Sequence, residues 1–414
     1  MRNSGFLWVM IGILVVLDLY VFQAIKVVAP SSPKIRYTIF GLYWLVSIAC
    51  LSILILLPNI NYENWPKASR TYVFATVVGL FFSKMVASIF LAVDDIRRGS
   101  MWIIGKLFSN PSIEVSQASD GITRSTFLSW MGLALGGGLF GTLVYGFNNK
   151  YRYHLNRIRL SFENLPASFK GLKIVHISDI HSGSFMDKKA VQRGVDKILK
   201  EEPDLVLFTG DLVNDRSVEM KDYMDVFNRL KAPLGVYSTL GNHDYGDYVR
   251  WESKEAKAAN LERLKQVHGE LGWRLLMNEH VVLEKGSDTI AILGIENWSA
   301  KGNFPKYGKM HEAYPGAEKH PFKILMSHDP SHWDGEVLKK YPDIDLTLSG
   351  HTHGMQFGVE LPGFRWSPIQ YVYKQWAGLY ESGNQKLYVN RGFGFIGYPG
   401  RVGILPEITV IELA

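Results

Sequence analysis

Apolar residues along this chain follow two regimes that change near position 150. Before it, four stretches are almost continuously hydrophobic: Phe6–Val28, Tyr37–Leu57, Tyr72–Val93 and Phe127–Phe147. Each is long enough to cross a ~30 Å hydrocarbon core as an α-helix. The first occupies the place of a secretory signal peptide, but it is too long and lacks a small-residue cleavage site. One such stretch reads equally well as a buried helix of a soluble protein. Four in succession predict a membrane domain over residues 1–149.

Two charges, Asp18 and Lys84, fall well inside the first and third stretches. Isolated charges there are costly and face a partner or water, so the two are expected to pair with each other. The fourth stretch holds Gly132, Gly136, Gly137, Gly138 and Gly141. Its small-xxx-small spacings permit close helix contact, which is packing rather than chemistry. Four crossings put the N-terminus and the remainder of the chain on the same side. Lys26, Lys34, Arg36, Arg97, Arg98, Lys106 and Arg124 flank the opposite side, against Arg2, Lys67 and Arg70. Lys150, Arg152, Arg157 and Arg159 would level the tally, but long domains cross largely regardless of charge. The expectation is an extracytoplasmic second domain.

From about Lys150 onward, short apolar runs alternate with amphipathic ones. Strands are expected at Lys173–Ser178, Asp204–Thr209 and Leu234–Leu240, and helices at Lys188–Lys200, Met220–Leu230 and Lys254–Leu271. Later strands are expected at His280–Leu283, Thr289–Ile295, Phe322–Ser327, Ile344–Ser349, Lys386–Asn390 and Glu407–Glu412. Early alternation implies parallel pairing, and the later strands without helices imply antiparallel pairing. The reading is an α/β sandwich over residues 150–414.

Composition sharpens this picture in three places. All twelve histidines follow residue 150, so chemistry is concentrated in the second domain. The single cysteine, Cys50, excludes an intramolecular disulfide framework and a Cys-rich zinc module. A net charge of +6 comes without a Lys/Arg-dense run or a nucleic-acid-binding motif, so it fits the membrane flanks better than nucleic acid. Protein partners are not legible.

Chemistry-bearing residues cluster where the strands end, which is where open α/β sheets place their sites. They are Asp179-Ile180-His181, Gly210-Asp211 with Asn214, Gly241-Asn242-His243-Asp244, Ser327-His328, and Gly350-His351-Thr352-His353-Gly354. Any one of them has a dull explanation as a turn or a surface histidine. Together they form a set of oxygen and imidazole ligands without thiolate, suited to Mn, Fe or Zn. Two divalent metals roughly 3.5–4 Å apart clamp a phosphoryl group and acidify a water between them, provided one carboxylate bridges the pair. His351 and His353 alternate along an extended segment, so each can reach a different metal.

This motif set resembles the signature of the calcineurin-like metallophosphoesterases, and with four spans ahead of it the chain is similar to the branch of transmembrane proteins with a metallophosphoesterase domain. The resemblance runs from about Lys173 to Ala414 and implies a four-layer sandwich of two mixed β-sheets flanked by helices. It implies that Asp179, His181 and His353 hold one metal, that Asp211 bridges, and that Asn242, His328 and His351 complete the second. His243 would contact the scissile phosphate and protonate the leaving oxygen. Where many members have an aspartate three residues after the bridging one, this chain has Asn214, which leaves Asp215 or Asp244 as orienters of His243. No tyrosine follows Gly210-Asp211 at the spacing of a purple acid phosphatase ligand. Thr123–Leu128 resembles a twin-arginine export signal lacking one arginine and is read as an ordinary topogenic flank.

Phe364-Arg365-Trp366, Tyr371, Tyr373, Lys374 and Trp376 mix aromatics with cations just after the His-x-His. Such a loop suits a base, a sugar, a lipid head group or a bilayer interface, and equally a packed cover over a sheet edge. Arg391 and Arg401 suit either phosphate recognition or a structural ion pair. The expected function is hydrolysis of phosphodiester or pyrophosphate bonds, on a phosphate ester that the tether would favour if lipid-linked, with the bilayer as partner. The alternatives are a UDP-2,3-diacylglucosamine pyrophosphate hydrolase of lipid A biosynthesis, which requires the cytoplasmic side, and a non-catalytic scaffold. The scaffold predicts a lost ligand or a lost His243, and all are present.

Overall fold

The computed structural model describes residues 4–56, 65–108, 123–302 and 304–414, which divide into two compact units, Met1–Tyr145 and Gly146–Ala414. The first unit contains helices α1 (Ser4–Val28), α2 (Pro33–Leu56), α3 (Lys67–Phe108) and α4 (Arg124–Gly146). All four are long and apolar enough to cross a membrane. Leu57, the expected end of the second span, lies outside the described residues. α3 is longer than its apolar stretch. Its 42 residues extend roughly 60 Å, about twice a hydrocarbon core. The extra turns carry Asp94, Asp95, Arg97 and Arg98, with Arg97 Nη2 2.8 Å from Asp94 Oδ1.

Asp18 and Lys84 form the expected pair, and both are buried. Ser47 Oγ donates to Asp18 Oδ1 at 2.6 Å, the Lys84 ammonium donates to Ser47 Oγ at 3.1 Å, and Tyr43 OH donates to the Asp18 carbonyl at 2.8 Å. The charges are thereby satisfied within three packed helices. Gly132 and Gly136 lie against the α3 backbone, where a Cβ would sit 2.8 Å from the Ala87 carbonyl and 2.5 Å from that of Ser83. Gly137, Gly138 and Gly141 face open space.

The second unit is a four-layer sandwich. One sheet has the order β1-β14-β2-β3-β4-β5, from His154–Leu160, Glu407–Leu413, Lys173–Ile177, Leu205–Phe208, Val236–Ser238 and Arg274–Leu275. The other has the order β12-β13-β9-β8-β7-β6, from Gly378–Ser382, Gln385–Val389, Leu346–Ser349, Lys323–Met326, Asp288–Gly294 and Glu279–Lys285. Period-two alternation sorts their side chains. Ile174, Leu207, Ile292, Ile324 and Leu348 fill the space between the sheets. Val175, Ile177 and Phe208 face α5 (Lys188–Leu199) and the helix Lys254–Glu270. Ala291, Leu325 and Val389 pack outward against Trp333 and Val337.

Two expectations are corrected. In the second sheet the later strands pair mostly in parallel, β7 to β8, β8 to β9 and β9 to β13, with antiparallel pairs at its edges β6–β7 and β12–β13, while β14 in the first sheet runs antiparallel to β2 as expected. The crossovers that parallel pairing needs are long segments whose described helical pieces are short, the longest being Trp333–Lys340. The expected helix Met220–Leu230 is two short turns, Ser217–Met220 and Met224–Phe227. Its buried residues Met220, Tyr223, Val226, Phe227 and Leu230 keep the spacing of one helical face, so the break between the two turns is not visible in the apolar pattern.

Where β14 begins, Glu407 is buried and accepts from Arg391 Nη1 at 2.6 Å, Thr409 Oγ1 at 2.9 Å and Tyr388 OH. Burial alone would raise its pKa, but Arg391 and these hydroxyls outweigh it and bring it down to about 2. A carboxyl depressed on folding stabilises above its unfolded pKa of about 4.5 and loses that contribution as pH falls toward 2, here on the order of 3 kcal/mol. Glu407→Gln is therefore expected to unfold at lower temperature than the parent at pH 7, with the gap closing between pH 4.5 and 2. Tryptophan fluorescence of the full chain in detergent measures it, and a gap constant across that range would exclude the ion pair as its cause.

Candidate metal centre

Every sequence-predicted site residue lies at or just beyond the C-terminal end of a strand, and the sandwich brings all but the side chains of Asn214 and Asp244 into one cluster. Asp179 and His181 follow β2, Asp211 and Asn214 follow β3, Asn242 to Asp244 follow β4, His328 follows β8, and His351 and His353 follow β9. The backbone there is held in an uncommon conformation. Asp179, His181, Asp211, His351 and His353 all have φ between 48° and 70°. For non-glycine residues this left-handed region is costly and persists only where surrounding structure enforces it, as at functional sites. Gly350 shows the crowding: a Cβ there would run into Ser178 Oγ and the Asp179 carboxylate.

Ligand atoms of Asp179, His181 and His353 lie within 4.8 Å of one another, as do those of Asp179, Asp211 and His328. Asp211 Oδ2 lies 3.5 Å from His181 Nε2 and 3.1 Å from His328 Nε2, so one carboxylate oxygen faces imidazoles of both groups. Its Oδ1 accepts the His243 backbone N–H at 2.9 Å. Asp179 Oδ1 lies 3.2 Å from His353 Nε2, and its carboxylate accepts the His351 N–H at 3.0 Å. Asn242 Oδ1 lies 2.8 Å from His351 Nδ1 and 3.2 Å from His328 Nε2, which joins the last three predicted ligands.

Electrostatics match the geometry. Burial opposes the charged form of Asp179, but His353, His328 and His181 outweigh it and hold its carboxyl well below the usual range. The same balance, with His328 and His243 leading the imidazoles, lowers Asp211. Burial disfavours the His328 imidazolium, yet Asp211 and Asp179 push its pKa up to about 10. His181 is held well below its usual value by burial. This cluster fits cations: His181 Nδ1 and Nε2 and His353 Nε2 are buried without a hydrogen-bond partner, and burying such atoms unpaired is costly.

Several positioning groups were not legible in the sequence. The Thr209 carbonyl lies 2.7 Å from His328 Nδ1 and aims its Nε2 at Asp211. His351 Nε2 lies 2.8 Å from Tyr373 OH, which donates to Asp329 Oδ2 at 3.2 Å, leaving Nδ1 for the cluster. Such partners fix ligand orientation. His243 Nδ1 lies 2.8 Å from the Asn214 carbonyl, so the backbone of Asn214 orients it. The Asn214 side chain instead meets Ser184. Neither Asp215 nor Asp244 fills the orienting place. Asp244 is fully buried, and its carboxylate accepts backbone N–H groups of Gly241, Asp211, Leu212 and Val213. The open question about the two arginines also closes. Arg391 pairs with Glu360 and Glu407, and fully buried Arg401 donates to the carbonyls of His353, Arg391, Gly392 and Gly394.

Comparison with known proteins bears on both units. Residues 1–150 match the family described as the probable calcineurin-like phosphoesterase transmembrane domain, and residues 172–355 match the calcineurin-like phosphoesterases. A Danio rerio protein named transmembrane protein with metallophosphoesterase domain is 30% identical over 75% of this chain and 67% of its own length. Phosphodiesterase YaeI of Escherichia coli is 29% identical over 63% of this chain and 88% of its own. UDP-2,3-diacylglucosamine pyrophosphatase LpxG of Chlamydia trachomatis is 28% identical over 61% of this chain and 88% of its own. Four membrane-length helices, a two-sheet sandwich and a strand-end cluster of carboxylates and imidazoles thus agree with these matches: the chain is a membrane protein and belongs to the calcineurin-like metallophosphoesterases.

Proposed function

We propose that this chain hydrolyses phosphodiester or pyrophosphate bonds at a two-cation centre, with His243 as the general acid. The observation that carries the reading is the convergence of Asp179, His181, Asp211, His328 and His353 around buried, unpartnered imidazole nitrogens. Asp179, His181 and His353 would hold one divalent cation (Mn, Fe or Zn), and Asn242, His328 and His351 the other, with Asp211 shared. The cations would supply Lewis-acid polarisation of the phosphoryl oxygens and acidify the attacking water.

The chain's own residues do the rest. With Nδ1 held at the Asn214 carbonyl, His243 presents Nε2 as the site from which a proton passes to the leaving oxygen. Tyr248 lies against it, ring centroids 4.5 Å apart, and its hydroxyl accepts from Asn242 Nδ2 at 2.8 Å, so both strand-end side chains are fixed together.

The test is turnover by the purified full-length chain in detergent with added Mn or Zn, on an aryl phosphodiester, an aryl phosphomonoester and UDP-2,3-diacylglucosamine. His243→Ala is expected to cost about 10²- to 10⁴-fold on an alkyl ester, whose leaving group needs the proton, and much less on an activated aryl ester. Equal losses on both would remove His243 as the acid. A second reading, pyrophosphate cleavage in a UDP-lipid, is favoured by the likeness to LpxG. Sidedness separates the two. The basic residues flanking the apolar helices favour an extracytoplasmic catalytic domain, whereas UDP-sugars are cytoplasmic. A C-terminal alkaline phosphatase fusion that is active in cells supports the first; an inactive one, with UDP-lipid turnover, supports the second. In either form the tether raises the effective concentration of a lipid-borne ester.

A further inference from the structure

Just past His353 the chain forms a hairpin, β10 (Val359–Leu361) against β11 (Phe364–Trp366), in the register Val359–Trp366, Glu360–Arg365 and Leu361–Phe364. Directly opposed residues share a face. One face therefore carries Glu360 and Arg365, and the other Val359, Leu361, Phe364 and Trp366. The ionic face is the one engaged with the protein: Glu360 meets Arg391, with Oε2 3.0 Å from Nε, and the Arg365 guanidinium lies 5.1 Å from the Trp376 ring centre and donates to the Ala377 carbonyl. The apolar face is the one left open. Leu361 is 63% exposed, Phe364 55% and Val359 40%, and Tyr371 at 78% and Val372 at 55% extend the surface. A sheet with one wet face normally has the opposite arrangement, polar out and apolar in.

The hairpin's attachment says what covers it. Gly358 N donates to the Val402 carbonyl at 2.9 Å, and Val402 N to the Gln356 carbonyl at 2.8 Å. One residue earlier, Arg401 N donates to the Gly146 carbonyl at 3.0 Å, and Asn149 Nδ2 to the Arg401 carbonyl at 3.1 Å. Gly146 is the last residue of the apolar helix α4 and the first of the second unit. A segment of two residues thus links the open apolar face to the point where the chain leaves its fourth membrane-length helix. On its other side the hairpin region is bound to the metal-centre segment, through Ser367 Oγ to the Gly354 carbonyl at 2.9 Å and Thr352 Oγ1 to the Trp376 carbonyl at 2.6 Å.

We propose that the apolar face of this hairpin seats in the interfacial layer of the bilayer that holds the apolar helices, so that the candidate metal centre opens at the lipid surface. Contiguous exposed apolar surface in an otherwise polar domain marks a binding face, and aromatic residues are at home at the depth of lipid head groups. The lipid contact stands independently of the chemistry. Its use in admitting a lipid-borne phosphate ester rests on the phosphoesterase reading.

The test uses the full chain in nanodiscs of phosphatidylethanolamine and phosphatidylglycerol, in a Cys50→Ser background. Leu361→Cys and Phe364→Cys each carry an environment-sensitive fluorophore, and exposed Ser287→Cys, in the turn between β6 and β7, serves as the control. Lipids bearing a nitroxide near the head group are expected to quench positions 361 and 364 about threefold or more above position 287. Equal quenching at all three positions overturns the proposal, whatever the protein hydrolyses. A Leu361→Asp/Phe364→Asp variant is then expected to lose about tenfold in turnover of an ester presented in vesicles, with turnover of a soluble aryl ester unchanged. Loss of both activities alike would overturn the substrate-access part and leave the quenching result to decide the lipid contact.

Discussion

Asp211→Asn is expected to abolish hydrolysis while leaving the fold intact. The substitution conserves size, and an asparagine oxygen can keep the 2.9 Å bond from the His243 backbone N–H. The other carboxylate oxygen is the one that matters, since it lies between His181 and His328, one from each cluster of ligand atoms. In asparagine that position becomes an amide that presents donors to the His181 and His328 nitrogens, which the proposed reading assigns to cations. On the proposed two-cation reading, a negative charge that both cations would share is also lost. Each of these effects touches transition-state charge stabilisation worth several kcal/mol, so kcat is expected to fall on the order of 10³-fold or more. Metal bound per protein, measured by elemental analysis, is expected to fall with it. Full metal content with full turnover would exclude Asp211 as the shared ligand.

The same cluster shows what a sequence can and cannot convey. The clustered residues were legible because each sits within a few residues of the end of an apolar run, and β2, β3 and β4 are neighbours in one sheet and β8 and β9 in the other. The groups that aim these side chains were not legible, because they belong to elsewhere in the chain. The Thr209 carbonyl that orients His328 is 119 positions away, and only the packing of one sheet on the other brings them together. Tyr373 drew notice as part of an aromatic loop, but nothing in that loop's composition connects its hydroxyl to His351. Residue type also misleads when the backbone acts. Asn214 stood out as a departure from an expected aspartate, yet its contribution to His243 is a carbonyl that any residue would bring. At fold level, strands were legible and their partners less so. β1 (His154–Leu160) went unread, its run broken by His154, Asn156, Arg157 and Arg159, because it pairs as an edge strand with β14 from the far end of the chain. Buried Asp18 and Lys84 were the easier case, since hydrocarbon leaves two opposite charges few alternatives to each other.

Asp244→Asn is expected to be the most destabilising single substitution in the site, although Asp244 touches no reacting group. One of its oxygens accepts Gly241 N and Asp211 N at 2.9 and 2.8 Å, and the other accepts Leu212 N and Val213 N at 2.8 and 3.2 Å. The carboxylate thereby clamps the turn after β3 to the turn after β4. Burial and the nearby Asp211 charge push its pKa up, while these N–H groups oppose the rise. Both oxygens are already taken by donors, so the geometry holds the ionised form. Asparagine has one acceptor end. Its NH₂ would face two backbone N–H groups, leaving both unsatisfied at about 1–3 kcal/mol each. A loss of about 3–5 kcal/mol follows, equivalent to roughly 10 °C in Tm for a unit of this size. Had Asp244 served as the orienter of His243, the main effect would be on the pH dependence of turnover, and it would vanish once the imidazole was gone. A clamp between turns predicts otherwise. The drop in Tm caused by Asp244→Asn should be the same in a His243→Ala background as in the parent, because none of its four bonds passes through the His243 side chain.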